Sequence, residues 1–378
     1  MVGRGYVRNI WCLAGYHLKP IEIMQPKKVS HWTILLLGVI LGIIGLVAIY
    51  DASVVDAFKN HNDKFHFVKQ QGMWMFLGII VSQVASFFPV SLIKKYSHVI
   101  FLACVFLLII VLIPGIGSKF LGARRWILLG PVVVQPSELI KVALVIYLAK
   151  WLDITRPLKQ FVFILASILL LVMLQPDLGT SLIIVGVGLS VYLISGAPLK
   201  ELAIFISLMV FGICMLIISS PYRLDRLKTF IDPSTDPQGA SYHITQVLYG
   251  IGSGGLTGVG LGKSRQKFAF LPEATTDSIF VIVAEELGFI GGILLISTLV
   301  MLSLSGLRVA YQASDRFDKL LAAGISLMFL VQTFVNIGSM TAIVPLTGVP
   351  LPFISYGGSS LLTNYIALGL LVGVAKRS

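Results

Sequence analysis

Long apolar stretches separated by short polar connections run through this chain from His31 onward. A helix needs about 20 apolar residues to cross a bilayer core. Ten helices are expected, over about 31–50, 72–92, 96–114, 137–152, 161–175, 177–196, 202–220, 278–304, 321–342 and 359–375. Two are short or broken: Pro136 opens the fourth, and Pro176 separates the fifth from the sixth. Proline cannot continue a helix without losing a hydrogen bond. Continuous apolar stretches favour helices over a barrel of alternating strands.

Composition narrows the class. Of 378 residues, 56% are hydrophobic and 12% charged, about half the charge of a soluble domain. Water could not solvate a globule of this make-up, which excludes a soluble enzyme, a disordered protein and a nucleic-acid reader. The expected fold is all-α: a polytopic membrane helical bundle of about ten transmembrane helices. Residues 1–30 form a cytoplasmic tail and 31–378 the membrane domain, with a long outer loop at about 221–277 before the eighth span. No cleavable signal peptide is read in the tail. The three cysteines, Cys12, Cys104 and Cys214, show no disulfide or metal spacing.

The net charge of +12 is read first through the positive-inside rule. The basic tails and the short loop at Lys94–Lys95 set both termini inside. Nine of the 12 basic residues then left outside fall in two loops, about 115–136 and 221–277. Such clustering suits an anionic substrate, although long loops also translocate regardless of charge.

Ionisable residues within spans are costly in hydrocarbon and mark candidate sites. Glu138 and Lys141 lie three apart on one helix face, as an ion pair or a cavity wall. Asp177 stands at a helix start, where a carboxylate caps. Glu285 and Glu286 lie inside the eighth span, about 100° apart, and are not expected to face one partner. The outer loop ends with Lys263, Arg265 and Lys267, then Glu273 and Asp277. Asp277 is either an N-cap or a general base beside a basic anion cradle. Gly262-Lys263-Ser264 ends like a phosphate-binding loop, but Thr257 stands where its first glycine belongs. Gly258, Gly260 and Gly262 suit close backbone approach. The uncharged 344–358 stretch must pack in protein or line a cavity.

Seven motifs in order resemble one family. They are Gly122-Ala123-Arg124-Arg125-Trp126-Ile127 with Gln135-Pro136-Ser137-Glu138; Gln175-Pro176-Asp177-Leu178-Gly179-Thr180; Gly252-Ser253-Gly254-Gly255; Gly258-Val259-Gly260-Leu261-Gly262; Leu271-Pro272-Glu273 with Thr276-Asp277; Ala284-Glu285-Glu286-Leu287-Gly288; and Pro352-Phe353-Ile354-Ser355-Tyr356-Gly357-Gly358. Together, over nearly the whole chain from His31, they resemble the SEDS proteins, polytopic glycosyltransferases of bacterial peptidoglycan synthesis. Ser264, Lys267 and Leu271-Pro272-Glu273-Ala274 look most like the cell-division branch, FtsW, beside RodA and SpoVE. The family's His-Thr-Asp-Phe reads Thr275-Thr276-Asp277-Ser278 here.

The resemblance implies polymerisation of lipid II, the disaccharide-pentapeptide on undecaprenyl diphosphate, at the outer face of the cytoplasmic membrane, at the division septum. It implies Asp277 as the catalytic carboxylate. Lys119, Arg124, Arg125, Arg265 and Lys267 are implied around the leaving diphosphate, with Glu273 beside the substrate. It also implies a class B penicillin-binding transpeptidase and other divisome membrane proteins as partners, and no nucleic acid. No cofactor is required, and a divalent cation (Mg or Mn) shared with the diphosphate is compatible. Alternatives are an elongation polymerase of the same family, a lipid II flippase and a non-catalytic division scaffold.

Overall fold

The computed structural model describes residues 28–120, 123–130, 132–154, 157–218, 224, 230, 241–268 and 270–378. Residues 1–27, Gly122, Arg156, most of 221–240 (Arg223, Arg226 and Lys228 included) and the side chain of Cys214 lie outside the described residues.

Each expected span is a helix. These are α1 (His31–His61), α2 (His66–Phe87), α3 (Val90–Ile110), α4 (Pro136–Ile154), α5 (Leu158–Met173), α6 (Leu178–Ile194), α7 (Leu199–Ile218), α9 (Ile279–Gln312), α10 (Arg316–Met340) and α11 (Gly358–Arg377). The 221–277 stretch adds a shorter one, α8 (Tyr242–Gly254). Five of them, α1, α3, α9, α10 and α11, are long and apolar enough to cross a bilayer. Their ends follow local chemistry. Ser30 accepts from the Trp32 N–H at the start of α1, and Asn62, at φ 54°, closes it. Asp315 accepts from the N–H groups of Phe317 and Asp318 at the start of α10.

The fold class is the expected helical bundle, with one small sheet added. The 115–136 stretch, read as a loop, folds into an antiparallel sheet of β1 (Gly117–Phe120), β2 (Ala123–Leu129) and β3 (Val132–Val134). Its β-branched and aromatic residues suit a pleated, half-buried surface. Gly130, at φ 62°, serves the turn between β2 and β3.

Burial separates central helices from peripheral ones. In α10 and α11, 72% of the most apolar window is buried; in α3 it is 17%. The first two form the pillar of the bundle, and α3 turns most of its surface outward. Tyr365 of α11 is fully buried among glycines of α1 and α2. Its hydroxyl donates to the Gly38 carbonyl at 3.3 Å, and a Cβ at Gly78 would run into its ring. Small residues let helices approach this closely.

Gly78 and Gly72 of α2 should therefore respond oppositely to alanine. Gly78→Ala overpacks the Tyr365 contact and should cost about 1–3 kcal/mol. At Gly72 nothing lies within 4 Å of an added Cβ, so alanine should gain up to about 1 kcal/mol from helix propensity. Thermal unfolding in detergent measures both. Equal shifts would contradict this packing.

Candidate active site

A cavity of about 760 Å³ opens where the sheet, the first turns of α4, α6 and α8, and the segments 271–278 and 341–357 meet. Five of the residues picked out from the sequence line it: Arg125, Glu138, Asp177, Glu273 and Asp277. Gln70, Trp74, Trp126, His243, Thr276 and Tyr356 join them.

The two acidic residues nearest the start of α9 share one turn, whose main chain is held from several directions. Ser278 and Thr276 donate their N–H groups to the Glu273 carbonyl, each at 3.1 Å. The Tyr356 N–H donates to the Thr275 carbonyl at 2.9 Å. The Ser355 hydroxyl donates to the Thr276 carbonyl at 2.6 Å, and the Asn336 amide to the Asp277 carbonyl at 2.8 Å. Asp277 is not the helix cap, because Ser278 occupies that position. Gly348, at φ 68°, lies beside the carboxylate: a Cβ there would sit 3.2 Å from Asp277 Oδ2. The Glu273 carboxylate accepts from the Thr276 hydroxyl at 2.9 Å.

The opposite wall carries an ion pair and a cap. Lys141 donates to Glu138 and to the Gln332 side-chain oxygen, both at 2.9 Å. Gln332 in turn donates to the Pro350 carbonyl at 2.8 Å. Glu138 Oε2 is buried with no hydrogen-bond partner among the described residues. Asp177 caps α6, accepting from the Thr180 N–H at 3.0 Å and the Thr180 hydroxyl at 2.8 Å. Arg125 donates to the carbonyls of Gln175, at 2.9 Å, and Pro176. Two of its five N–H donors are thereby used, while its charge remains at the cavity.

The other cations are placed elsewhere. Lys119 and Arg265 are exposed and do not line the cavity. Arg124 turns to the Leu112 carbonyl at 3.5 Å. Lys267, expected at the diphosphate, is buried between Asp51 at 2.8 Å and Glu286 at 3.1 Å. Burial opposes its charge, but hydrogen bonds to these carboxylates prevail and raise its pKa above the ordinary lysine value.

Glu285 and Glu286 also correct the sequence reading, since both face one partner, the 262–267 segment. Glu285 accepts from the Ser264 hydroxyl and from the Arg265 N–H at 3.0 Å. Glu286 accepts from the N–H groups of Gly262 at 2.8 Å and Ser264 at 2.9 Å. Ser264 meets both, its hydroxyl on Glu285 and its N–H on Glu286, so side chains 100° apart still converge on one residue. The helix is broken at Gly288, φ 69°. The 255–260 backbone satisfies the freed groups: Val259 and Gly260 donate to the carbonyls of Glu285 and Glu286, and Phe289 and Ile290 donate to those of Gly255 and Leu256. Gly258, at φ 82°, lies where a Cβ would strike Glu286. Among the described residues, no group of three or more His, Cys, Asp or Glu could hold a metal ion.

Residues 31–378 match the family described as Cell cycle protein, which groups FtsW, RodA and SpoVE. The chain belongs to this family. It is 40% identical to Stage V sporulation protein E of Bacillus subtilis (strain 168), over 94% of this chain and 100% of that one. It is 38% identical to a probable peptidoglycan glycosyltransferase FtsW of Geobacter sp. (strain M18), over 91% and 96%. Two solved structures share the fold. One, reported under "Structural coordination of polymerization and crosslinking by a peptidoglycan synthase complex", superposes with a TM-score of 0.77 at 25% identity, covering 92% of this chain and 97% of that one. The other, Thermus thermophilus rod shape determining protein RodA, gives 0.68 at 27%, covering 92% and 96%. With its apolar helices, this FtsW/RodA/SpoVE-family chain is a multi-pass membrane protein.

Sequence reasoning passed over Asn336, Ser355, Gln332 and His243. A polar residue within an apolar helix was the available signal for Asn336 and Gln332, both fully buried in α10.

The position of Lys267 separates two roles. Lys267→Met would leave Asp51 and Glu286 facing one another, and should cost about 3–5 kcal/mol. Asp51→Asn in the same chain should return part of that loss. Exposed Arg265→Ala should change stability by no more than about 0.5 kcal/mol. Unfolding in detergent reads all three, and a wild-type stability for Lys267→Met would return that lysine to the list of substrate ligands.

Proposed function

We propose that this chain is a peptidoglycan glycosyltransferase that polymerises lipid II at the outer face of the cytoplasmic membrane. The observation that carries the reading is the cavity. It combines a carboxylate on a pinned turn, a guanidinium and the lysine-paired Glu138 in one space, in a family with relatives named for this activity. The acceptor's 4-hydroxyl oxygen attacks C1 of the donor sugar. The C1–O bond to undecaprenyl diphosphate breaks, and the diphosphate leaves with the electron pair. The hydroxyl proton passes to Asp277.

Two features favour Asp277 over Glu273 as the base. Its main chain is held by Asn336, and Gly348, lacking a side chain, leaves room beside Oδ2. The contribution of Asp277 comes from placement at the acceptor hydroxyl. Arg125 supplies positive charge for the leaving diphosphate. Magnesium or manganese, if recruited with the diphosphate, would be held by Asp277 or Glu273 and would offset the charge of the leaving group.

The reading extends to ten crossings with both termini inside, a class B penicillin-binding transpeptidase as partner, and septal location. Similarity to relatives named FtsW supports the division branch, and similarity to Stage V sporulation protein E supports a sporulation role as the second reading. Depletion distinguishes these: filaments indicate division, round cells elongation, and normal growth with failed spores sporulation.

Asp277→Asn keeps the shape and removes the charge. It should abolish glycan polymer from labelled lipid II in a protein that still inserts and folds. Near-normal polymer would sink the assignment.

The two arginines supply a separate test. Arg125→Ala should lose far more turnover than Arg124→Ala, because only Arg125 lines the cavity. Arg125→Lys should recover only part, since lysine lacks the planar fork. Equal wild-type rates in both alanine variants would remove Arg125 from the mechanism.

A further inference from the structure

His243 lies in the first turn of α8, and its ring lines the cavity that holds Asp277. Among the described residues it is the cavity's one histidine. Its Nε2 lies 2.9 Å from the hydroxyl oxygen of Ser278. Ser278 follows Asp277 directly, is fully buried, and occupies the N-cap position of α9. An N-cap serine ordinarily turns its oxygen onto a backbone N–H of the first helical turn. This one makes no such bond, and its hydroxyl meets the imidazole instead.

Docking alone does not account for the contact. Ile244 and Val247 already bury α8, and its Gly254 packs so closely on Ala284 that a Cβ would strike the carbonyl. The other bonds that fix the 273–278 turn from outside come from α10 and the 341–357 segment. His243 reaches the same turn from α8.

We infer that His243 is a positioning residue for Asp277: through the Ser278 hydroxyl it fixes the end of the turn that aims the carboxylate into the cavity. This rests on reading the cavity as a glycosyl-transfer site. The role requires the ring nitrogen at its hydrogen-bonding position. An amide nitrogen at the end of a glutamine side chain can occupy much the same place, whereas alanine cannot.

The experiment measures lipid II polymerisation by full-length wild type, His243→Ala, His243→Gln, Ser278→Ala and the double alanine variant, with thermal unfolding of each. His243→Ala should lower kcat by about tenfold or more, as misplacement of a reacting group does, with KM within about twofold. His243→Gln should recover most of that loss. Ser278→Ala should lower kcat in the same direction, and the double variant should lose less than the sum of the two singles, because both remove the His243–Ser278 contact. Wild-type kcat in His243→Ala, a change confined to KM, or fully additive losses would each overturn the inference. If His243→Ala does not fold, the glutamine variant decides: a folded His243→Gln with tenfold lower kcat also overturns it. An inactive wild type would overturn the polymerase reading itself, whereas an active wild type with indifferent His243 variants overturns only this inference.

Discussion

Two adjacent carboxylates buried in α9 organise the end of the molecule where the cavity lies. Glu285 and Glu286 are 2% and 3% exposed, and a buried carboxylate without donors is strongly disfavoured. The chain answers with backbone N–H groups from Gly262 to Gln266, the Ser264 hydroxyl and the Lys267 ammonium. Satisfying these charges draws the 255–267 segment across α9 and brings the following turn over the cavity. The Gly262-Lys263-Ser264 sequence that mimics a phosphate loop is thereby used on an anion after all, the chain's own Glu286. Two N–H groups of a glycine-containing turn around a negative charge, here those of Gly262 and Ser264, are the same device in both settings.

Charge in this protein therefore divides by partner rather than by sign or exposure. Lys267 and Lys141 are both buried and both neutralised by carboxylates of the chain. Arg125 meets only carbonyls in its recorded bonds, so it brings a net positive charge to the cavity. Asp177 is occupied with its helix end. The Glu138 pair fixes α4 to α10 through Gln332, while the second carboxylate oxygen of Glu138 is buried with no hydrogen-bond partner among the described residues.

The helices were legible because hydrocarbon imposes a long uninterrupted apolar signal, and the proline at 176 punctuates it. The sheet was not, because strands of three to seven residues leave a faint pattern beside spans of twenty. Within the cavity, acids and cations next to glycine and proline turns could be picked out locally. Asn336 and Ser355 could not, since they act on carbonyls 59 and 79 positions away. Lys267 was misread for the same reason: a sequence shows the charge, while its partner Asp51 is 216 positions distant. The two glutamates were misjudged because one residue, Ser264, reaches both, through its hydroxyl and its N–H.

The bonds from Ser355 and the Tyr356 backbone to the 275–276 carbonyls have a consequence for inheritance. They join two stretches far apart in the chain into one mechanical piece, whose fit is set by main-chain geometry on one side and a single small hydroxyl on the other. An insertion or deletion on either side shifts every bond at once, so a graft of one stretch between relatives must carry the other with it.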